Sequence, residues 1–287
     1  MTTRLGRADL HIHSLASDGT DGVAAILDHA ERATDLDVIS ITDHERIDAA
    51  LAARTMAREQ GLRVEVVVGE EVTTLGGHLL ALFIGERVRP LRTLRTTIAE
   101  IHEQGGLAIP AHPLVPYPLC AQGWVIRRLL SDRDPRVRPD AIEAFNPTMF
   151  GRPWHGRVVR FAAEHDLATV GNSDAHEAAA VGTGWSTFPG RTADDLRAAI
   201  LGHETQHHGS FHGTGGQVGT FGKQLRKYSR DARAVVRARV LRDGSGRDLG
   251  YPAGYPAGDQ RPPRLDDEWT PIRPRDESPV PVEDERR

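Results

Sequence analysis

The stretch DLHIHS, residues 9–14, places three side chains that can bind a metal within five positions. The flanking pattern predicts a β-strand, in which alternate residues point to the same face. Asp9, His11 and His13 would therefore share one face of that strand. Such a group indicates either a metal site or a coincidence, and the rest of the chain has to decide between them.

Metal-ligand side chains recur at the ends of the predicted strands. After His11 and His13 they are Asp18, Asp43, His44, Glu70, Glu71, His78, His112, Glu143, Asn146, Asp174 and His176. Active sites of barrels and open α/β sheets lie at the carboxyl ends of the parallel strands, so these groups are expected to meet at one rim. The other eight histidines fall in predicted helices or polar segments and are interpreted as structural: His29, His102, His155, His165, His203, His207, His208 and His212.

The chemistry of these side chains favours a cluster of divalent metal ions. Imidazoles and carboxylates suit Zn²⁺, Mn²⁺ or Fe²⁺ and do not select one of them. The candidates are too many for one ion, so we expect several ions that share a carboxylate. Closely spaced ions make hydroxide available near neutral pH and stabilise both oxygens of a phosphoryl displacement. The sequence has no P-loop and no GxSxG motif, and GTGG at 213–216 is a weak signal.

Strands and helices alternate through the first 210 residues. The predicted strands are RADLHIH, DVISITDH, RVEVVVGEEVT, HLLALFIG, GLAIPAHP, AIEAFNP and ATVGNSDAH. The predicted helices cover about 22–34, 46–60, 91–104, 122–131, 153–165 and 192–202. This alternation is typical of a parallel sheet, either as a barrel or as an open doubly wound sheet.

Bulk composition excludes several classes of protein. The net charge of −4 indicates no particular partner, and the single cysteine, Cys120, excludes an intrachain disulfide and a cysteine-rich zinc site. The chain has no apolar signal core at its start and no apolar run that approaches a membrane span. We therefore expect a soluble, cytoplasmic protein.

Composition changes near residue 213, which divides the chain into three predicted parts. Residues 1–212 form the catalytic domain, and 213–243 form a basic amphipathic helical segment. Within it, 221–242 carries eight Arg or Lys against one Asp, so it could contact nucleic acid or an acidic membrane, or dock on the barrel. Residues 244–287 are rich in Pro, Gly and charge and are predicted to be disordered.

The motifs DLHIHS, SDGT, ITDH, GEE, AHP and GNSDAH, in this order, resemble the PHP (polymerase and histidinol phosphatase) superfamily over about residues 7–205. The resemblance implies an α/β fold, a distorted seven-stranded (β/α)7 barrel, with three metal ions at its carboxyl rim. No polymerase domain follows in these 287 residues, so we do not expect a polymerase proofreading module.

The resemblance also assigns the metal ligands. Three divalent ions would be held by His11, His13 and Asp174; by His78 and His112; and by Asp18, His44 and His176, with Glu71 bridging two of the ions. Glu70 alternates to the opposite face of its strand. Asp9 and Asp43 lie beside ligands and are expected to orient imidazoles.

Other residues are candidates for handling the substrate. Asp43, Asn146 and Arg152 are the predicted catalytic support, with Asn146 placed to bond a phosphate oxygen or a metal-bound water. A phosphate could also meet Arg46, Arg127 or Arg128, although surface roles are the alternative for every arginine. Trp154 and Trp185 could stack a base or simply pack. The proline-rich stretch AHPLVPYPLCAQGW is predicted to cover the site.

The predicted function is metal-dependent hydrolysis of a phosphate ester of a nucleotide or short oligonucleotide by a metal-activated hydroxide. The small stand-alone phosphoesterases of the superfamily are the most similar members. Some of them carry a helical insertion after the GEE strand pair that helps to cover the substrate. This chain lacks that insertion, so the resemblance does not select one substrate. The alternatives are histidinol-phosphate phosphatase and a non-catalytic metal- or nucleotide-binding regulatory module.

Overall fold

The computed structural model describes residues 5–148 and 151–211, together with the single positions 229 and 233. The predicted basic helix and the predicted disordered tail lie outside this described part, apart from those two positions, and stay predictions. None of the helices in the described ranges is both long and apolar enough to cross a membrane.

The described residues form nine strands and six α-helices. The strands are β1 Gly6–Ile12, β2 Val38–Ile41, β3 Glu65–Thr74, β4 Gly77–Leu82, β5 Leu107–Pro110, β6 Ala141–Phe145, β7 Ala168–Gly171, β8 Gly184–Phe188 and β9 Gln206–Gly209. The helices are α1 Val23–Ala33, α2 Asp48–Glu59, α3 Leu94–Glu103, α4 Gly123–Leu130, α5 His155–Glu164 and α6 Ala193–Leu201. Strands β1 to β7 coincide with the seven predicted strands.

The strands build a curled half-barrel, so the predicted α/β barrel class is confirmed. One sheet has the order β5-β4-β3-β2-β1-β8-β9, and β6 and β7 form a parallel pair. Strands β1, β2 and β3 are parallel, but β4 runs antiparallel to both β3 and β5. The sheet is mixed at β4, because only Leu75 and Gly76 connect β3 to β4 and a parallel crossover needs a dozen residues or so.

The β6–β7 pair lies between β5 and β1. At one side the Asp140 backbone N donates to the Ala108 carbonyl O at 3.0 Å, which joins the start of β6 to β5. At the other side the Leu10 backbone N donates to Asn172 Oδ1 at 3.0 Å, and Ile12 bridges Ala175 in parallel. The carboxyl ends of β1, β5, β6 and β7 therefore face the same rim.

Strands β8 and β9 were missed from the sequence. GWSTF is short and half polar, and QHHG has no apolar alternation, so neither carries a strand signal. Both form because β8 pairs antiparallel with the start of β1, and β9 pairs with β8. His207 and His208 thus lie in a strand, and His208 Nε2 contacts Thr187 Oγ1 at 2.8 Å, which agrees with a structural role.

Apolar packing on both sides of the sheet holds the rim in place. Helix α3 buries Leu94, Ile98 and Ile101, spaced four and three residues apart on one face, in the larger apolar cluster. A second cluster packs Leu196 of α6 against strand residues that include Phe188. Burying side chains of this size contributes about 1.5–3 kcal/mol each, so the strands form a rigid frame for the polar residues at their ends.

Candidate metal centre

All nine predicted metal ligands are buried, and the fold brings them together at the carboxyl rim of the barrel. They lie in β1 and the loop after it, in β3, at the start of β4, and in the segments that follow β2, β5 and β7. The nine residues are His11, His13, Asp18, His44, Glu71, His78, His112, Asp174 and His176. The antiparallel direction of β4 matters here. It places His78, at the beginning of that strand, opposite Thr73 near the end of β3.

Glu71 lies at the middle of the cluster, and one of its oxygens faces three imidazoles. Glu71 Oε2 is 3.3 Å from His11 Nε2, 3.3 Å from His13 Nε2 and 3.3 Å from His44 Nδ1. A parallel bridge between His44 and Glu71 fixes the backbones of two of these residues side by side. Oε2 of Glu71 therefore faces the imidazoles that lie in β1 and just after β1 and β2.

The second oxygen of Glu71 faces a different pair of imidazoles. Glu71 Oε1 is 2.7 Å from His78 Nδ1 and 3.1 Å from His112 Nε2. The two carboxylate oxygens thus point into two separate groups of histidines. A carboxylate in this position can be shared by two cations.

Two aspartates complete the remaining groups. Asp174 Oδ1 lies 3.3 Å from His13 Nε2 and 3.5 Å from His11 Nε2. Asp18 Oδ2 lies 3.4 Å from His176 Nε2, and Asp18 Oδ1 lies 3.6 Å from His13 Nδ1. His13 therefore faces three carboxylates, with Nε2 toward Glu71 and Asp174 and Nδ1 toward Asp18.

Four overlapping triads have ligand atoms within 4.8 Å of one another. They are His11–His13–Asp174, His13–His44–Glu71, His13–Asp18–His176 and Glu71–His78–His112. Several ligand atoms are buried without a hydrogen-bond partner among the described residues: His11 Nε2, both ring nitrogens of His13, Asp18 Oδ2, Asp174 Oδ1 and His176 Nε2. Leaving such atoms unsatisfied costs about 1–3 kcal/mol each. Divalent cations would satisfy them, so the donor set fits metal ions.

The electrostatics of the cluster also call for positive charge. Burial alone would raise the pKa of the Glu71 and Asp174 carboxyls, but the neighbouring imidazoles, His78 for Glu71 and His11 for Asp174, hold both pKa values far below their usual range. Burial alone would lower the pKa of His13, yet Asp174 and Glu71 raise it to about 10. The carboxylates stay ionised and attract positive charge, as protons or as metal ions.

Two of the predicted ligands have strained backbones. Asp174 has φ of 51° and His112 has φ of 30°, both in the left-handed region that residues with a side chain seldom adopt. Such conformations cost about 1–3 kcal/mol each and persist only where the surroundings enforce them. The strain turns these two side chains toward the cluster just after β7 and β5.

Glu143, which the sequence placed at the rim without assigning it to a metal ion, contacts two of the predicted ligands. Its Oε1 lies 2.9 Å from His11 Nδ1 and accepts from Asn172 Nδ2 at 2.8 Å. Its Oε2 accepts from the His112 backbone N at 2.6 Å and from Asn146 Nδ2 at 3.0 Å. One buried carboxylate thus holds the segments of two predicted ligands, His11 and His112. The only sequence signal for it was its position at a strand end.

Asp9 and Asp43 accept hydrogen bonds from serines of neighbouring loops, and their predicted role in orienting imidazoles stays a prediction. Asp43 Oδ2 accepts from Ser14 Oγ at 2.6 Å, and Asp43 Oδ1 accepts from the Ser14 backbone N at 2.8 Å and from Ser17 Oγ. Asp9 Oδ1 accepts from the Ser173 backbone N at 3.0 Å. These contacts fix the turns that carry Asp18 and Asp174, because Ser17 and Ser173 directly precede these two predicted ligands.

Asn146 is part of the cluster's framework. Its Nδ2 donates to Asp174 Oδ2 at 3.2 Å as well as to Glu143, so it holds the aspartate with Oδ1 turned toward the histidines. Glu70 points the other way, as predicted, and accepts from the Val88 backbone N at 2.9 Å.

The arginine and tryptophan candidates have partners of their own. Arg46 makes two hydrogen bonds to Asp48, at 2.8 and 2.6 Å, and the Arg152 guanidinium lies over the Phe211 ring at 5.6 Å. Arg127 and Arg128 are exposed on α4. Trp154 and Trp185 each lie under an arginine guanidinium, at 5.4 Å, which favours packing over base stacking. The use of Arg152 on a phosphate stays a prediction.

Comparison with known sequences identifies related proteins. A family model described as PHP-associated matches residues 152–205. The uncharacterized protein MJ1587 of Methanocaldococcus jannaschii is 34% identical over 151 residues, which cover 49% of this chain and 81% of that protein. The matched part of the relative includes most of its length.

Comparison with solved structures gives the same fold. A two-domain protein from Bacteroides vulgatus, described as containing a predicted PHP-like metal-dependent phosphoesterase, has a TM-score of 0.56 at 19% identity over 72% of this chain, which spans 65% of that protein. An amidohydrolase from Chromobacterium violaceum, solved with sulfate and no metal, has a TM-score of 0.51 at 16% identity over 69% of this chain and 97% of its own. With its ordered motifs, rim geometry and these relatives, the chain belongs to the PHP superfamily.

Proposed function

We propose that this protein is a metal-dependent phosphoesterase that hydrolyses a phosphate ester of a nucleotide or short oligonucleotide. The observation that carries the proposal is the position of Glu71, whose two oxygens face two separate groups of buried imidazoles. A shared carboxylate between closely spaced cations is the arrangement suited to phosphoryl displacement.

The proposed ligand groups follow the distances. His11, His13 and Asp174 would hold one ion; Glu71, His78 and His112 a second; and Asp18, His44 and His176 a third. Bound divalent cations lower the pKa of a water molecule toward 7 and neutralise the charge of phosphate oxygens. Imidazole and carboxylate ligands suit Mn²⁺, Zn²⁺ and Fe²⁺ alike.

The remaining side chains keep this donor set in place. Glu143 accepts from His11 and so directs the opposite ring nitrogen, Nε2, at Glu71 and Asp174. Asn146 Nδ2 donates a hydrogen bond to Asp174 Oδ2, so Asp174 Oδ1 can bind a cation. Burial of all these groups excludes bulk water and strengthens each electrostatic contact. Arg152, on the turn after β6, is proposed to contact the substrate phosphate.

The nucleotide substrate rests on the sequence resemblance to the small stand-alone phosphoesterases. The basic segment 221–242, of which the structure describes only positions 229 and 233, is proposed to contact the nucleic-acid part of an oligonucleotide substrate. A cytoplasmic location also stays a prediction.

The test is phosphate release from a panel of substrates by protein loaded with Mn²⁺. The panel contains 5′-AMP, 3′,5′-bisphosphoadenosine, a 5′-phosphorylated dinucleotide and histidinol phosphate, together with an N-acyl amide because one structural neighbour is an amidohydrolase. We expect turnover of a nucleotide, lost in the double variant His11→Ala, Asp174→Ala. Turnover of histidinol phosphate alone, or of the amide alone, would overturn the nucleotide assignment. If fully metallated protein turns over none of these substrates, the result would favour a non-catalytic binding module.

A further inference from the structure

The single cysteine of the chain lies against one of the proposed metal ligands. Cys120 Sγ is 3.3 Å from His112 Nδ1, and the cysteine is only 6% exposed. The other nitrogen of the same ring, Nε2, faces Glu71 Oε1 at 3.1 Å. The thiol and the carboxylate therefore contact opposite sides of one imidazole.

The loop that carries Cys120 is tied down by several backbone contacts. The Leu114 backbone N donates to the Ala121 carbonyl O at 2.9 Å, which closes the loop. The His78 backbone N donates to the Leu119 carbonyl O at 2.7 Å, which fastens the loop to β4. Gln122 Nε2 donates to the Cys120 carbonyl O at 3.0 Å. The position of the thiol is thus fixed by the same loop that contacts His78, the neighbour of His112 in its triad.

Contacts of this kind recur at other ligand imidazoles of the cluster. His11 Nδ1 meets Glu143 at 2.9 Å, and His176 Nδ1 meets the Asp174 carbonyl O at 2.9 Å. A metal-bound imidazole donates its other N–H to such an acceptor, which fixes the tautomer and the orientation of the ring. At His112 the group in the equivalent place is a thiol, which accepts a hydrogen bond more weakly than an oxygen.

We propose that Cys120 is a positioning residue for His112. It accepts the Nδ1 proton of the ring and holds Nε2 toward Glu71, where a divalent cation would bind. The inference rests on the metal-binding part of the proposed function and not on the identity of the substrate. Phosphoesterase activity can therefore fail on every substrate while the metal-affinity comparison below still decides the role of Cys120.

The experiment measures Mn²⁺ affinity by competition with a chelator for the full chain and three variants. Cys120→Ala removes the acceptor, and we expect the affinity of one ion to fall about 10-fold or more, the usual effect of losing such a partner. Cys120→Ser restores an acceptor and is expected to stay within about threefold of the natural protein. Val115→Ala, a buried apolar truncation in the same loop, is the matched control and is expected to leave the affinity unchanged.

Three outcomes would overturn the proposal. Unchanged affinity in Cys120→Ala would show that the thiol does nothing for His112. Equal losses in the Cys120→Ser and Val115→Ala proteins would indicate a packing role alone. A thiolate-to-metal charge-transfer band in the ultraviolet spectrum of Cd²⁺-loaded protein, absent from Cys120→Ser, would make the cysteine a ligand. Metal-free thermal unfolding of each variant confirms that it folds.

Discussion

Glu143 and His11 are joined by a buried contact of 2.9 Å between Glu143 Oε1 and His11 Nδ1, although 132 residues separate them along the chain. The contact exists because β7 pairs with β6 on one side and the residues after β7 contact β1 on the other, which brings Glu143 to His11. It sets which nitrogen of His11 faces Glu71 and Asp174. The geometry of the cluster therefore depends on a residue that would not itself bind metal.

Glu143→Gln should weaken metal binding without unfolding the protein. The amide keeps the shape of the side chain but loses the charge that His11 and the His112 backbone N contact, so we expect metal affinity to fall about 10- to 100-fold. Isothermal titration with Mn²⁺ measures the change.

Glu70→Gln is the matched control for that variant. Burial raises the pKa of Glu70 to about 8, so the natural side chain is mostly uncharged at pH 7 and the amide resembles it. We expect metal affinity within twofold of the natural protein. An equal loss in both variants would contradict a specific role for Glu143.

Gly77→Ala should destabilise the protein and loosen the loop at His112. Gly77 has φ of 126°, and a Cβ there would lie 2.6 Å from the Cys120 carbonyl carbon. Backbone cannot move aside cheaply, so we expect a loss of about 2–4 kcal/mol in the free energy of unfolding, measured with denaturant.

Gly85→Ala is the control for this substitution, since a Cβ at Gly85 meets nothing within 4 Å. It should change the free energy of unfolding by less than about 0.5 kcal/mol. A neutral Gly77→Ala protein would show that the loop does not pack on β4 as closely as described.

His102 makes stability depend on pH at a site away from the metal cluster. The hydrogen bond to Asp140, at 2.8 Å, raises the pKa of His102, and the Arg136 carbonyl O contacts the other ring nitrogen at 2.7 Å. Because the pKa is raised in the folded state, this stabilisation is fully present below about pH 6.5, the ordinary value for histidine, and is lost as pH rises through the folded pKa.

The comparison of the natural protein with His102→Gln tests this. The stability advantage of the natural protein should shrink between pH 5.5 and 8.5, by roughly 1 kcal/mol or less since the ring is partly exposed. Chelator keeps both proteins metal-free, so titrations that they share cancel in the difference. A constant difference across the range would contradict the assignment.

Much of the site could be predicted because its residues lie at the ends of strongly apolar strands. The alternation of DLHIHS and the positions of His44, Glu71 and His112 are local patterns, and the parallel strands then bring them to one rim. The seven main strands were visible for the same reason. No such local pattern marks β8 and β9, which depend on pairing with a distant strand.

Local sequence patterns could not predict the hydrogen-bond partners of the buried carboxylates and of Cys120. The serine partners of Asp9 and Asp43 carry no local signal, because the turns after β7 and β1 bring these residues into contact only in the folded chain. Glu143 acquires its partners only when the barrel closes, and Cys120 only through the path of its loop. Contacts between segments more than a hundred residues apart are set by the whole fold.

The measurement that tests the central claim most directly is the Mn²⁺ content of the natural protein and of Glu71→Gln after equilibrium dialysis, with electron paramagnetic resonance of both samples. The account predicts more than one ion per chain in the natural protein and a magnetically coupled signal, with the coupling and at least one ion lost in Glu71→Gln. A single uncoupled ion in the natural protein, or equal metal content and coupling in both proteins, would contradict a cluster that shares Glu71.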